Sequence, residues 1–132
     1  MRCGERRDFR LLAGYDPAMT TIYKICTAGE WRDAERAGVY RGSAVDVKDG
    51  FIHFSTAEQA KETARKWFAG QHDLVLVAVD ADALGGALKW EPSRGGALFP
   101  HLYGALDLKA VRQIDPLPLD AAGNHAFRPL AS

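Results

Sequence analysis

The sequence predicts a single domain of the α+β class. Two strand–helix units are followed by patterns that are mostly strands, which differs from the regular alternation of a parallel α/β sheet. A chain of 132 residues is long enough for one hydrophobic core but too short for two domains. We expect this domain at residues 20–116, with an irregular segment at 1–19 before it and an extended tail at 117–132 after it.

The first unit has clear start and stop signals. Thr21–Cys26 is rich in β-branched and aromatic residues, which favour a strand. Thr27 and Glu30 have the spacing of a capping box, and Gly38 is typical of a helix stop. Together these signals predict a helix from about Ala28 to Ala37.

Met19 stands two residues before this first strand. Residues 1–18 combine charges, glycine and proline with one short apolar run, so they match neither a strand nor a helix pattern. We therefore interpret Met19 as the natural start of the protein and residues 1–18 as an over-extended reading frame. A short N-terminal arm packed on the domain is the alternative.

The second unit follows a polar, glycine-containing stretch at residues 39–49, which we predict to be a loop. Gly50–Phe54 has strand character, and Ser55 with Glu58 forms a second capping-box pattern that predicts a helix behind it. Leu74–Val79 is an uninterrupted apolar run, which is typical of a central strand covered on both faces.

The rest of the chain reads mainly as strands. Residues 87–91, 98–103 and 111–114 each have a short apolar or β-branched pattern bounded by glycine, proline or charge. Prolines at 116, 118 and 129 then favour an extended tail rather than another helix.

Composition excludes several classes of partner. Lys and Arg together number 17, as do Asp and Glu, so no overall field favours nucleic acid or an anionic membrane. No stretch reaches the roughly 20 apolar residues that a membrane-spanning helix needs, and no secretory signal pattern is present. Two cysteines without metal-ligand spacing fit a reducing compartment. We expect a cytoplasmic protein that binds neither nucleic acid nor membrane.

The segment Gly50–Thr56 holds the first candidate functional residues. Strand alternation places Phe51 and His53 on one face, just before a predicted helix start whose exposed N–H groups attract anions. Ser55 and Thr56 lie at the same point and could donate hydroxyl groups to a ligand. The more ordinary interpretation is that Ser55 caps the helix and His53 is a half-buried structural histidine.

A second group begins at Trp90. Trp90 could stack on a flat ring, and Glu91 could act as a general base or accept a ribose hydroxyl. Arg94 precedes two glycines, and its guanidinium suits phosphate or carboxylate. A core tryptophan and a structural Arg94–Glu91 ion pair are the alternatives.

His101 and Tyr103 complete the candidate set. On an extended segment they share one face and could bracket a polar ligand, although bonds to backbone carbonyls would satisfy them equally well. The spacing of His53, Glu91 and His101 matches no metal-ligand motif, so we predict no metal site.

At these motifs the chain resembles the domain-of-unknown-function family numbered 952. The similarity is carried by the blocks Asp49-Gly-Phe-Ile-His-Phe-Ser-Thr56 and Leu88-Lys-Trp-Glu-Pro-Ser-Arg-Gly-Gly-Ala-Leu-Phe-Pro-His-Leu-Tyr-Gly104. This resemblance implies a fold similar to the ADP-ribosyltransferase superfamily. That fold is a split β-barrel of two small sheets with two to three short helices and a cleft for NAD.

The resemblance also implies roles for individual residues. His53 falls where the transferases stack nicotinamide on a tyrosine. Their first motif strand bears a histidine or arginine that has no match here, unless Lys24 takes that place. Their late-strand glutamate has no match near residues 99–103, where His101 is the nearest polar residue. Either Glu91 replaces it from another loop, or the domain binds a nucleotide-like ligand without transferring it.

Three classes of function follow. In the first, the cleft binds NAD, ADP-ribose or a related phosphorylated small molecule, with His53, Glu91 and His101 as catalytic candidates. The ligand-binding candidates are Ser55, Thr56, Trp90, Arg94 and Tyr103. No resident cofactor is indicated, because NAD would be a substrate of ADP-ribosyl transfer or glycohydrolysis.

In the second class, the domain is a non-catalytic binding or interaction module with a degenerate cleft. A hydrolase or isomerase that uses His53 and Glu91 on an unrelated metabolite is a third interpretation.

Overall fold

The computed structural model describes residues 20–93 and 95–130, and within them the fold is α+β, as predicted. The N-terminal segment at 1–19, including the proposed start at Met19, lies outside these residues, as does Arg94. The described residues form small antiparallel sheets with a few short helices. None of these helices is both long and apolar enough to cross a membrane.

The central sheet has three antiparallel strands in the order β1–β4–β8. These strands are β1 at Thr21–Thr27, β4 at Leu74–Asp80 and β8 at Val111–Pro116. The prediction that Leu74–Val79 forms a central strand is confirmed, since β4 pairs with a neighbour on each side. A strand in that position is apolar throughout because both of its faces are covered.

The helix predicted behind β1 is confirmed as α1 at Ala28–Ala37. Its capping box is complete, because the Thr27 hydroxyl accepts the Glu30 N–H and the Glu30 carboxylate accepts the Thr27 N–H. Gly38 ends the helix in the left-handed conformation, with φ at 81°.

The prediction of a loop at residues 39–49 is wrong. A short strand, β2 at Val39–Tyr40, pairs there with β7 at Leu106–Asp107. It is followed by the six-residue helix α2 at Ala44–Asp49. A helix of under two turns has too few apolar positions to show helical periodicity, so only its caps reveal it in the sequence.

The second unit is a strand followed by a helix, as predicted, but its strand is shorter than predicted and its helix is capped one residue later. Strand β3 covers only Ile52–His53, and α3 spans Ala57–Trp67. Its N-cap is Thr56 in a capping box with Gln59, not Ser55 with Glu58. Ser55 is instead held in extended conformation, because its backbone N–H and C=O both pair with those of Tyr23.

A second three-stranded antiparallel sheet has the order β3–β6–β5. Its long hairpin consists of β5 at Leu88–Ser93 and β6 at Ala97–Leu102, close to the predicted strands. Two registers within this sheet position the functional candidates. His53 lies directly opposite His101, and Glu91 lies opposite Phe99.

The core consists of two clusters, one on each face of the central sheet. The first lies between that sheet and α1, β2 and the β3–β6–β5 sheet, and includes Ile22 and Cys26 of β1. The second lies on the opposite face, where Tyr23 and Ile25 pack with α3 and residues after β8 such as Leu117. Lys24 therefore belongs to the first face and is buried there with only 5% exposure.

Candidate functional site

The candidate site is a group of rings around Phe51, between β3 and the end of β6. The Phe51 ring lies 4.2 Å from that of His101 in a stacked arrangement, 4.6 Å from that of His53 and 5.1 Å from that of Tyr103, measured between centroids. The two imidazoles meet edge to face at 5.5 Å. We call these four residues the aromatic cluster. The pairing of His53 with His101 across β3 and β6 assembles it.

Glu91 joins the aromatic cluster from β5. Its Oε1 is 2.7 Å from His101 Nδ1 and 2.8 Å from the Tyr103 hydroxyl, which donates to it. Glu91 reaches His101 diagonally, since its direct opposite on β6 is Phe99. The bond from His101, followed by that from Tyr103, lowers the pKa of Glu91, and the same contact raises the pKa of Tyr103.

His53 is held between two carboxylates of α2. Its Nδ1 lies 2.6 Å from Asp46 Oδ1, and its Nε2 lies 3.0 Å from Asp49 Oδ2. His53 therefore orders α2 against β3 while its ring remains 35% exposed beside Phe51.

Asp46 is the buried centre of this arrangement, with 2% exposure. Its Oδ2 accepts from Lys24 Nζ at 2.7 Å and from the Ser43 N–H at 2.9 Å, and its Oδ1 accepts from the backbone N–H of His53 at 3.1 Å. Burial would raise the pKa of Asp46, but the His53 hydrogen bond and the Lys24 ammonium outweigh burial and hold it well below the usual range. The carboxylate thus stays charged and fixes three segments of chain.

Lys24, on strand β1 of the central sheet, completes the contacts around Asp46. Besides its bond to Asp46, its ammonium donates to the backbone carbonyl of His53 at 3.1 Å. A buried lysine that makes these two bonds positions other residues of the site and does not face a ligand. The role that the resemblance implies for Lys24 stays a prediction, and its contacts hold Asp46 and the backbone of His53 in position.

Gly42 makes the close approach of α2 possible. Its φ is +103°, and a Cβ placed there would come within 2.7 Å of Asp46 Cβ and 3.3 Å of Ile52 Cγ1. Gly50 also has a positive φ, of +89°, but a Cβ there would meet nothing within 4 Å. Gly42 is therefore required both for its positive φ and for the close contact with Asp46, whereas Gly50 is required only for its positive φ.

These two glycines give a matched test of the packing around Asp46. We expect Gly42→Ala to lower the free energy of unfolding by about 1–3 kcal/mol more than Gly50→Ala, because only the first change forces Asp46 to move. Urea unfolding of both variants measures the difference. Equal losses would show that the backbone strain common to both positions accounts for the whole effect.

The sequence-predicted residues fall into three groups. The structure brings together His53, Glu91, His101 and Tyr103. Ser55 is buried, with its hydroxyl 2.8 Å from that of Thr63, and Thr56 caps α3. Trp90 lies beside Leu88 in a depression on the other face of β5 from Glu91, and is 42% exposed.

Sequence reasoning missed Asp46, Asp49 and the central position of Phe51. The available signal was the pair Ser43 and Asp46, whose spacing is that of a capping box and whose helix ends at Gly50. Within residues 20–93 and 95–130, no three His, Cys, Asp or Glu residues are arranged to hold a metal ion.

A comparison with protein-family models matched residues 25–114 to a family described as a protein of unknown function, number 952. The chain belongs to this family. The match covers α1 to β8 and includes the aromatic cluster, Glu91 and Asp46. A comparison with curated proteins gave no match.

Solved structures of one relative are similar over most of the chain. The crystal structure of protein CC0527 from Caulobacter crescentus is 56% identical, with a TM-score of 0.79, and the alignment covers 81% of this chain and 94% of that one. The solution NMR structure of CC0527 is 57% identical, with a TM-score of 0.73, covering 80% and 91%. A crystal structure of a double mutant of CC0527 is 54% identical, with a TM-score of 0.78, and the alignment covers 81% of this chain and 94% of that one.

Proposed function

We propose that this chain binds NAD, ADP-ribose or a related nucleotide at the aromatic cluster, in a fold of the ADP-ribosyltransferase type. The observation that carries the proposal is the position of Glu91. Its carboxylate is fixed by His101 and Tyr103 on one oxygen and stands beside the exposed ring of Tyr103. A fixed acceptor next to a flat ring suits a ribose that carries a planar base.

The second oxygen of Glu91 supplies the ligand contact. Among the described residues, both hydrogen bonds of Glu91 end on Oε1, so Oε2 is available to accept a hydroxyl group. The hydrogen bonds from His101 and Tyr103 lower the pKa of Glu91 and so favour its ionised form, and an ionised carboxylate accepts a stronger hydrogen bond than a neutral one. Tyr103, which is 44% exposed, offers a surface on which a base or nicotinamide can stack.

Transfer or hydrolysis of ADP-ribose would use the same contact. When the bond between ribose and nicotinamide breaks, positive charge develops on the sugar, and a carboxylate at a ribose hydroxyl stabilises that charge. Glu91 supplies this carboxylate from β5, in place of the late-strand glutamate of the transferases. A turnover assay with NAD separates this activity from a binding module that makes the same contacts without reaction.

The proposal is tested by NMR titration of the labelled full chain with NAD, ADP-ribose and nicotinamide. We expect saturable shifts of the amides of His53, Glu91 and Tyr103. Glu91→Gln should weaken NAD binding about tenfold or more, because a neutral amide replaces a charged acceptor. Glu35→Gln, on the exposed face of α1, is the matched control and should bind as the wild type does.

Two results would contradict the proposal. Unchanged spectra at millimolar NAD and ADP-ribose would exclude a nucleotide site. Binding that Glu91→Gln and Glu35→Gln affect equally would place the ligand away from Glu91.

A further inference from the structure

A depression on the far side of Phe51 continues the candidate site. It has a volume of about 250 Å³ and is lined by residues from the turn before α2, from α2 itself, from the α2–β3 connection and the start of β3, and from the segment after β6. Phe51 of the aromatic cluster lines it, as does Gly104, which follows Tyr103 directly. A ligand that contacts Tyr103 and Glu91 can therefore extend past Phe51 into this depression.

The charge in this depression comes from Arg41. Among residues 20–93 and 95–130, its guanidinium makes no ion pair or hydrogen bond, in contrast to Arg36, Arg112 and Arg128, which all pair with carboxylates. The other charged residue in the lining, Asp46, is buried and already neutralised by Lys24 at 2.7 Å. The accessible charge of the depression is thus positive.

The backbone position of Arg41 is constrained by the residue that follows it. Gly42, the next residue, packs so closely on Asp46 that no side chain fits there, which fixes the chain against α2. Elsewhere in the lining, side chains built at Gly50 and Gly104 would meet nothing within 4 Å, so these glycines leave open space beside the guanidinium. An unpaired guanidinium facing open space beside backbone is suited to a phosphate or carboxylate, which it can bind through two parallel hydrogen bonds.

We infer that Arg41 and this depression form the anion subsite of the ligand site and take a phosphate group. The inference rests on the proposed function, in which the ribose hydroxyl lies at Glu91 and the base stacks on Tyr103. It assigns the phosphate to the side of Phe51 where α2 begins.

The test compares three probes on the full chain by NMR titration at constant ionic strength. ADP-ribose carries ribose and phosphate, nicotinamide riboside carries ribose without phosphate, and inorganic phosphate is the anion alone. We expect Arg41→Gln to raise the Kd of ADP-ribose about tenfold or more and to leave that of nicotinamide riboside within about twofold. Arg32→Gln, on α1 and outside the lining, should change neither.

Inorganic phosphate distinguishes failure of this inference from failure of the proposed function. If phosphate shifts the amides of Arg41 and Gly104 but neither ADP-ribose nor nicotinamide riboside binds, the anion subsite stands and the proposed function fails. If ADP-ribose binds Arg41→Gln as tightly as it binds the wild type, the proposed function stands and the subsite is overturned. If no probe shifts these amides in the wild type, the subsite is overturned as well.

Discussion

Asp46→Asn is expected to lower the free energy of unfolding by about 3–5 kcal/mol, which is a large share of the stability of a small domain. The amide preserves the shape of the side chain but removes the charge that balances the buried ammonium of Lys24. It also weakens the bonds that Asp46 makes with His53 and Ser43. Urea unfolding monitored by circular dichroism gives the change from the shift of the midpoint at constant m.

Asp49→Asn is the matched control for this change. Asp49 contacts the same imidazole, but its side chain is 40% exposed. Removal of its charge should cost less than about 1 kcal/mol, because solvent screens an exposed pair. Equal effects of the two substitutions would show that the contact with His53 matters and that the burial of Asp46 does not.

The stability due to Asp46 should also depend on pH in one direction. Its pKa in the folded state lies below that of an unfolded aspartate, about 3.9, so the unfolded state binds the proton more readily. This stabilisation is fully present above that unfolded value and is lost as the pH falls through the folded pKa. The difference in stability between the wild type and Asp46→Asn should therefore shrink below about pH 4. A difference that stays constant down to pH 2 would contradict the lowered pKa.

The sequence was sufficient where local signals and tertiary packing agree. Helix α1 was predicted at its observed bounds because Thr27, Glu30 and Gly38 fix both ends through short-range contacts. Strand β4 was predicted as central because an apolar run of that length has to be covered on both faces. Alternation along the chain also placed Phe51 and His53 on one face, as the structure shows.

The candidate site was harder to predict because its contacts join distant segments. The bond between Glu91 and His101 depends on the register of β5 with β6, which alternation alone does not fix. Asp46 was not predicted because, in a polar stretch of sequence, a buried aspartate cannot be distinguished from a surface residue until its partner is known. That partner, Lys24, lies 22 residues earlier in a strand that is otherwise apolar.

The effect of Lys24→Met should change sign with the residue at position 46. In the wild type it removes the cation that faces Asp46, and we expect a loss of about 3 kcal/mol or more in the free energy of unfolding. In the Asp46→Asn background the same change removes an unpaired buried charge, so it should stabilise. Chemical unfolding of the four proteins gives the coupling energy, which we expect to be at least about 3 kcal/mol, at or above the upper end of the usual range.

This double-mutant cycle tests whether the buried Lys24–Asp46 pair contributes to stability, to ligand binding or to both. Well-packed apolar groups often replace a buried ion pair without loss of stability, so stability alone does not account for the pair. If the double variant recovers most of the lost stability yet binds ADP-ribose less tightly than the wild type, the pair serves to hold His53 and α2 in position for the ligand. If both stability and binding recover, Asp46 and Lys24 are structural, and the ligand site depends on Glu91, Tyr103 and Arg41. Additive effects of the two substitutions would contradict the direct Lys24–Asp46 contact itself.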